Sequence, residues 1–341
     1  MNTKVWHTLI IGFGNISQKY SNDPIMSRYY PYSTHAQVLS KHPDFSWDSV
    51  VDISDAALKN ASVSWGIKKC ASSCSKITNP ENIDVLIIST PPEDRSKYLP
   101  FFPNLKAIIL EKPISSSVIE SKKIIDVCKK NKIYAQVNYI RRLDVSMHEL
   151  VDGGLESKIG NVQSGTITYG NGLANNGSHM IDLVRMLVSE ISAVQVVALE
   201  SSFVEGPIKD DINLYCILYL ENGACINMIP LRFSEYRENS FDLWGTKGRL
   251  SINQEGLLIH YCPKSINRAI SNESEISSDK TVTTNSQIGQ ALYNLYDNLS
   301  GTLKGDESLR SDVSSALTNE IIIEKILYSY SHFGKLVSCY D

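Results

Sequence analysis

The stretch Leu9-Ile10-Ile11-Gly12-Phe13-Gly14-Asn15-Ile16-Ser17 constrains the fold more than any other part of the chain. An apolar run stops at a glycine, a second glycine follows two residues later, and a helix can begin just after. Gly12 permits a tight turn, and Gly14 lets backbone approach a ligand where a Cβ would collide with it. A helix N-terminus then offers unpaired N–H groups and a partial positive charge to phosphates. Ser17, at the position of a third glycine, is small enough for helix and strand to pack closely. A plain strand–turn–helix carries the same pattern, so the motif takes its meaning from the strands and helices around it.

The first half of the chain supplies that context. Apolar strands are expected at residues 5–11, 49–53, 83–90, 105–110 and 133–137. Between them lie helix patterns at 34–41, 55–65 and 115–131, the last with a stripe of Val118, Ile119, Ile125 and Val127. Near-continuous apolar strands separated by helices indicate a parallel sheet covered on both faces. Asp52 stands at the end of the second strand, where a carboxylate accepts hydrogen bonds from an adenosine ribose and repels a 2′-phosphate. That favours NAD over NADP as cofactor; the alternative is a capping Asp in a turn. Its distance from the glycines exceeds the usual spacing of about 20 residues, because residues 18–33 read as an insertion. The insertion holds Tyr20, Tyr29, Tyr30, Tyr32 and Arg28. Either its rings meet a sugar or base and Arg28 a phosphate, or it is a surface loop packed by its own aromatics.

Composition narrows the class. The 341 residues, 42% hydrophobic and 21% charged, suffice for two domains with real cores. A net charge of -4 gives no reason to expect nucleic acid or an anionic membrane as partner. No apolar run is long enough to span a bilayer, and the N-terminus has no signal-peptide pattern. The seven cysteines are scattered without a CxxC, which reads as reduced thiols in a cytoplasmic protein with no metal site.

The second half reads differently. The domain boundary is expected after residue 138, giving domains 1–138 and 139–341. Arg141 and Arg142 follow at once, as a diphosphate clamp or as two solvated charges. Strands are expected at 162–169, 194–203, 212–220, 224–231, 240–244, 249–252 and 256–261. Asn222-Gly223 and Gly245-Thr246-Lys247-Gly248 mark hairpins and hence an antiparallel sheet. Arg232, Tyr236 and Arg237 follow one hairpin strand as candidate substrate contacts. Residues 264–286 are polar and Ser-rich and are expected to be a mobile excursion; 288–299 and 313–328 read as helices. Residues 176–189 read as a helix buried along Met180, Leu183, Val184 and Leu187. His179 then sits in its first turn, either as a base kept neutral by the helix dipole or as a structural histidine near a helix N-terminus. Asp182 lies three residues on, able to orient His179 or a substrate hydroxyl.

Two stretches carry a family resemblance: Ile108-Ile109-Leu110-Glu111-Lys112-Pro113, and Asn175-Asn176-Gly177-Ser178-His179-Met180-Ile181-Asp182. With Gly12 to Ser17, Asp52 and Thr90-Pro91-Pro92, the chain resembles the Gfo/Idh/MocA oxidoreductases over nearly its whole length. The resemblance implies an α/β protein, an N-terminal Rossmann domain followed by a C-terminal domain on a large, mostly antiparallel open sheet. It implies homo-oligomers, dimers or tetramers, and an NAD cofactor. By position, Lys112 would touch nicotinamide and substrate, and His179 would be the catalytic acid/base. Gly12, Phe13, Gly14, Asn15, Ile16, Asp52, Thr90, Pro91, Pro92, Glu111 and Asn138 would line the cofactor. The Lys112–Pro113 bond is a candidate for cis.

Three departures bear on the substrate. Asn175 stands where many members have aspartate, Arg95 where histidine is frequent, and the insertion is unusual. Asn175 resembles the branch that oxidises the 3-position of UDP-amino sugars. The expectation is therefore an NAD-dependent dehydrogenase acting on carbon 3 of a nucleotide sugar such as UDP-GlcNAc, with Asn175 and Asp182 beside the catalytic pair and Arg28, Arg141, Arg142 and Tyr236 on the substrate. The 3-keto product would suit surface polysaccharide or lipid A-type biosynthesis. The rivals are a dehydrogenase of free inositol or sugar, a redox-neutral NAD-dependent glycoside hydrolase, and a non-catalytic NAD-binding regulator, the last disfavoured by Lys112, His179 and Asp182 together.

Overall fold

A computed structural model describes residues 4–93 and 95–340. Two compact units emerge, one comprising the chain up to Leu143 together with Gly289–Leu317, the other Asp144–Ile288 together with Thr318 onward. The expected single boundary after residue 138 is thus replaced by a later one and a return crossing.

In the first unit six strands, β1 (Trp6–Ile11), β2 (Phe45–Val51), β3 (Lys69–Ala71), β4 (Val85–Ile88), β5 (Ala107–Leu110) and β6 (Tyr134–Val137), pair in the order β3-β2-β1-β4-β5-β6. Every pairing is parallel. β4 and β5 are buried along their whole length, which is why they read as unbroken apolar runs. β3 is silent in the sequence because three residues, one of them lysine, carry no period. Helices α1 (Met26–Tyr29), α2 (His35–Leu39), α3 (Asp55–Trp65) and α4 (Val118–Lys130) connect the strands. Ser54 and Ser117 cap α3 and α4 through their hydroxyls. The stripe that α4 buries is Val118, Ser121, Ile124, Ile125 and Cys128; Ile119, expected inside, faces solvent.

The insertion is spliced into a helix. After the glycines one turn forms, with Gln18 N–H on the Gly14 carbonyl, and the chain then leaves. It returns so that His35 N–H meets the Ile16 carbonyl (3.2 Å) and Ala36 N–H meets that of Ser17 (2.9 Å). Residues 20 and 21 would make these bonds in an unbroken helix, so about fifteen residues are added without breaking its ladder. Thr34 restarts the helix in a reciprocal capping box with Gln37. Within the excursion Tyr32 packs on Tyr293 of the later helix Ala291–Lys304, at 4.8 Å between centroids, while Arg28 and Tyr29 are exposed.

In the second unit α5 (Val145–Glu149) and α6 (Leu155–Ile159) precede β7 (Val162–Tyr169), α7 (Ser178–Leu187) and β8 (Ile191–Val196). Next come β9 (Phe203–Val204), β10 (Ile212–Asn213), β11 (Cys216–Leu220), β12 (Cys225–Pro230), β13 (Ser240–Gly245), β14 (Gly248–Asn253), β15 (Leu258–Ile266), β16 (Ser274–Ile276) and β17 (Val282–Asn285). The large sheet runs β16-β15-β14-β13-β7-β12-β11-β8, ends on a short C-terminal strand, and adds β17 on β15. Only β7 and β12 are parallel within it among the described residues. Alternate side chains of β7 and β11 are buried, as expected of a sheet with one face on the core.

Three expectations need correction here. The strand expected at 194–203 ends at Val196, and the one expected at 212–220 is divided, with β10 leaving to pair with β9. Residues 264–286 are not an unstructured excursion but hold the end of β15, β16 and β17. Their side chains are largely exposed, so no apolar alternation betrays them.

The chain then returns to the first unit as α8 (Ala291–Lys304), burying Leu292, Leu295, Tyr296 and Leu299. Ser311 covers the edge strand β6: its carbonyl accepts from Val137 N–H, and its hydroxyl donates to the Val137 carbonyl. α9 (Val313–Ser331) contributes Val313 and Ala316 to the first core and Ile322, Ile323 and Ile326 to the second, and β18 (Val337–Ser338) closes the sheet beside β8. No helix of the described residues is long and apolar enough to cross a membrane.

Excision of residues 20–34 should place His35 on the Ile16 carbonyl and leave a continuous helix. The shortened protein is expected to retain its far-ultraviolet circular dichroism and unfold cooperatively, less stable by about 1–3 kcal/mol for the lost cap and aromatic packing. Failure of the excised chain to fold in any soluble form would contradict the splice.

Candidate active site

At the end of β1, Gly12 adopts φ +87°, and a Cβ there would lie 2.9 Å from Ser89 C and Thr90 N. The close approach of this turn to the end of β4 demands glycine. Gly12 N–H donates to the Val51 carbonyl (2.8 Å), and Phe13 N–H donates to Asp52 Oδ2 (2.6 Å). The other oxygen of Asp52 accepts from Ser54 N–H at 2.7 Å. Ser17 returns its hydroxyl to the Gly12 carbonyl (2.6 Å), which locks the turn from below. A Cβ built on Gly14 meets nothing within 4 Å, so that face of the turn is open. The half-buried Ile16 and exposed Asn15 complete it.

Along the same edge of the sheet, Ser89 Oγ, Thr90 Oγ1 and Asn138 Oδ1 are buried with no hydrogen-bond partner among the described residues. Such groups are costly unless something polar satisfies them. An open glycine turn after β1, a carboxylate after β2 and unsatisfied polar groups after β4 and β6 fit a dinucleotide laid across the sheet. Pro91 is exposed, and the Pro92 carbonyl accepts from Ser115 Oγ.

Glu111 and Lys112 follow β5, and the Lys112–Pro113 peptide is cis, as the sequence suggested. Lys112 is half-buried. The Glu111 carboxylate accepts from Asn138 Nδ2 (2.6 Å) and faces His35 Nε2 (3.0 Å). Burial pushes its pKa up, but the hydrogen bond from His35, the Asn138 amide and the Lys112 ammonium hold it below the usual carboxylate range. Arg95, buried in the turn after β4, donates to the carbonyls of Thr90, Glu111, Pro113 and Ile114. It therefore ties the ends of β4 and β5 together. In the same unit Arg28 is exposed on α1, and Arg141 and Arg142 are half-buried in the turn after β6.

Asn175, His179, Asp182 and Tyr236 belong to the second unit. His179 is half-buried in the first turn of α7, as expected. The turn leading into α7 is braced by β10 and the residue before it. Asp211 accepts from the N–H groups of Ala174 and Asn175, both at 2.9 Å, and Asn213 Oδ1 accepts from Gly172 N–H at 2.8 Å. Gly172 has φ +94°, and a Cβ there would lie 2.0 Å from Asp211 Oδ2. Asn175 Nδ2 donates to the Asn171 carbonyl (3.1 Å), and its own carbonyl accepts from Ser178 Oγ (2.9 Å). Asp182 is 1% exposed and accepts from Asn319 Nδ2 at 2.8 Å. That burial suits orientation of the helix end more than direct contact with a sugar. Asn319 in turn accepts from Arg185 (2.7 Å). Tyr236 is 61% exposed on the loop after β12, where Arg237 pairs with Glu255 and Arg232 lies over the Phe203 ring.

Tyr296, expected with Tyr293 as a core or cleft residue of the 288–299 helix, is buried there; three other residues that shape these groups do not stand out in the sequence: His35, Asp211 and Asn213. The capping box Thr34–Gln37 is a readable signal and places His35 at a helix start. Nothing local marks Asp211 as the brace of a turn 36 residues earlier.

Comparison with known proteins bears on the fold and the family. No curated protein matches the chain in sequence. Among solved structures, the WlbA dehydrogenase from Bordetella pertussis, in complex with NADH and UDP-GlcNAcA, is 17% identical with a TM-score of 0.73, covering 99% of each chain. Levoglucosan dehydrogenase in complex with NADH and levoglucosan is 18% identical with a TM-score of 0.76, covering 99% of this chain and 100% of its own. An oxidoreductase from Agrobacterium radiobacter, in complex with NAD+, L-tartaric acid and magnesium, is 14% identical with a TM-score of 0.71, covering 98% of each. At such identities the likeness is one of fold. Residues 6–139 match the oxidoreductase family with an NAD-binding Rossmann fold, and residues 156–251 match the GFO/IDH/MocA C-terminal domain. The chain is an NAD-binding oxidoreductase and belongs to the Gfo/Idh/MocA family.

Proposed function

We propose that this enzyme oxidises a secondary hydroxyl of a nucleotide-activated amino sugar, at carbon 3, with NAD as hydride acceptor. Two placements, each within its own unit, support the reaction type. Lys112 stands at the carboxyl end of a central parallel strand, and His179 in the first turn of α7. Asn175, an amide where many relatives have a carboxylate, carries the choice of sugar. The complexes of WlbA dehydrogenases with NADH and UDP-GlcNAcA support that choice.

Bound NAD supplies the acceptor for the hydride. His179 takes the hydroxyl proton. Lys112 donates to the same oxygen and stabilises the alkoxide as it develops. Asp182, fixed by Asn319, holds the first turns of α7 in register. With NAD bound, Asp52 would accept from the adenosine ribose hydroxyls, and Arg141 and Arg142 would offer cations to a diphosphate. A second reading has a specific motive: the levoglucosan dehydrogenase structure superposes well, which supports a free sugar without nucleotide.

With NAD+ and UDP-GlcNAc or UDP-GlcNAcA, NADH should form, and free UDP should compete. Turnover with free glucose, myo-inositol or levoglucosan alone would favour the second reading, and sugar release without net NADH would point to the redox-neutral hydrolase. His179→Ala is expected to lower kcat by about a hundred- to ten-thousand-fold, and Lys112→Ala by about a hundred- to a thousand-fold. Unchanged turnover in both variants would remove the catalytic assignment. Asp52→Ser should narrow the preference for NAD+ over NADP+ by about ten- to a hundredfold, measured as the ratio of kcat/KM values, because one charged hydrogen-bond acceptor is lost.

A further inference from the structure

A buried chain of polar groups lies behind Glu111. His35 is fully buried; its Nδ1 is 2.7 Å from the Tyr296 hydroxyl and its Nε2 is 3.0 Å from Glu111 Oε1. The same oxygen accepts from Asn138 Nδ2 at 2.6 Å. Burial first, and then the Glu111 charge, push the Tyr296 hydroxyl well above its ordinary pKa, so it remains a donor. The wiring that gives each proton an acceptor runs from the Tyr296 O–H to His35 Nδ1, and from the His35 Nε2–H to Glu111. Phe45 and His42 wall Tyr296, and His42 is paired with Asp297. The other charges about Glu111 are Lys112, next in the chain, and the Arg95 guanidinium on its backbone carbonyl.

Strand order decides what this chain of groups faces. In the order β3-β2-β1-β4-β5-β6, the open glycine turn follows β1 and the Asp52 carboxylate follows β2. A dinucleotide with its diphosphate at β1 and its adenosine ribose at β2 lays its other half over β4, β5 and β6. Glu111 and Asn138 stand there. The nicotinamide ring carries a positive charge in NAD+ that the hydride cancels in NADH. A carboxylate held in a low-dielectric pocket beside it favours the charged form.

We propose that His35 is a positioning residue which, by holding the Glu111 carboxylate beside the nicotinamide, biases the site toward NAD+ over NADH. The inference rests on the reading that NAD lies across β4 to β6, and it is independent of which sugar is oxidised. His35 acts through Glu111 and touches neither cofactor nor substrate.

The test is the ratio of dissociation constants for NADH and NAD+, measured on the full chain without sugar, by NADH fluorescence and calorimetry, from neutral to mildly alkaline pH. In His35→Leu the ratio should move toward NADH by about tenfold, the scale of one partly screened charge pair. Glu111, left buried without its donor, would ionise only at higher pH, so the NAD+ preference should return as pH rises. Glu111→Gln should shift the ratio equally with no recovery, whereas His35→Gln, which keeps an N–H donor, should preserve it. Tyr296→Phe leaves the ring in place but removes the proton that fixes the His35 tautomer; a smaller shift in the same direction is expected even if His35→Leu does not fold. An unchanged ratio, or equal loss of both affinities, in His35→Leu or Tyr296→Phe would overturn the proposal. Failure of every nucleotide sugar as substrate would sink the proposed function and leave this result standing.

Discussion

The close approach of the β1 turn to the end of β4 governs the first unit. Gly12 is wedged against Ser89 and Thr90 where no Cβ fits, and its N–H is held by β2 through Val51. That contact brings the carboxyl ends of β1, β2 and β4 to one edge. Parallel pairing then carries β5 and β6 to the same edge, with Glu111, Lys112 and Asn138 behind them. Backbone pairing, not any single side-chain bond, gathers residues from five separate stretches. Arg95 reinforces the result by fixing the loop path, since one guanidinium serves carbonyls after both β4 and β5.

Much of this is legible in the sequence because burial on both faces leaves a strong mark. β4 and β5 are apolar throughout, and the glycines need a conformation and a closeness that few residues allow. β3 is silent because it is short, and the outer strands β16 and β17 because exposed side chains have no period to show. The pairing of β10 with β9 is hidden for another reason. Residues 212–220 are apolar enough for one strand, but Asn213 turns its amide onto Gly172 and the backbone of the β9 segment, which takes the chain out of the large sheet.

The site is legible as motifs and illegible as support. Lys112 and His179 stand in the motifs that carry the family resemblance, and Asp52 stands at the end of the second apolar strand. His35 carries no such mark, since its partners Glu111 and Tyr296 lie 76 and 261 residues away. The insertion shows the limit of reading by spacing in another form: it lengthens the distance from Gly12 to Asp52 yet leaves the helix ladder intact, because its two ends meet within one turn. The departure at Asn175 likewise gains meaning only in three dimensions. Its backbone N–H rests on Asp211, so a carboxylate does stand at this turn, supplied from the β9–β10 segment and directed at backbone.

Hydride transfer from a ring carbon of a nucleotide sugar to NAD is the step on which the proposed chemistry depends. The most direct measurement uses UDP-GlcNAc deuterated at carbon 3, incubated with the protein and NAD+, with the cofactor recovered and weighed by mass spectrometry. Transfer of one deuterium to the reduced cofactor, together with a 3-keto sugar, is the predicted result. A reduced cofactor without deuterium would move the oxidised carbon elsewhere, and a 3-keto sugar formed while NAD+ stays unreduced would contradict the mechanism.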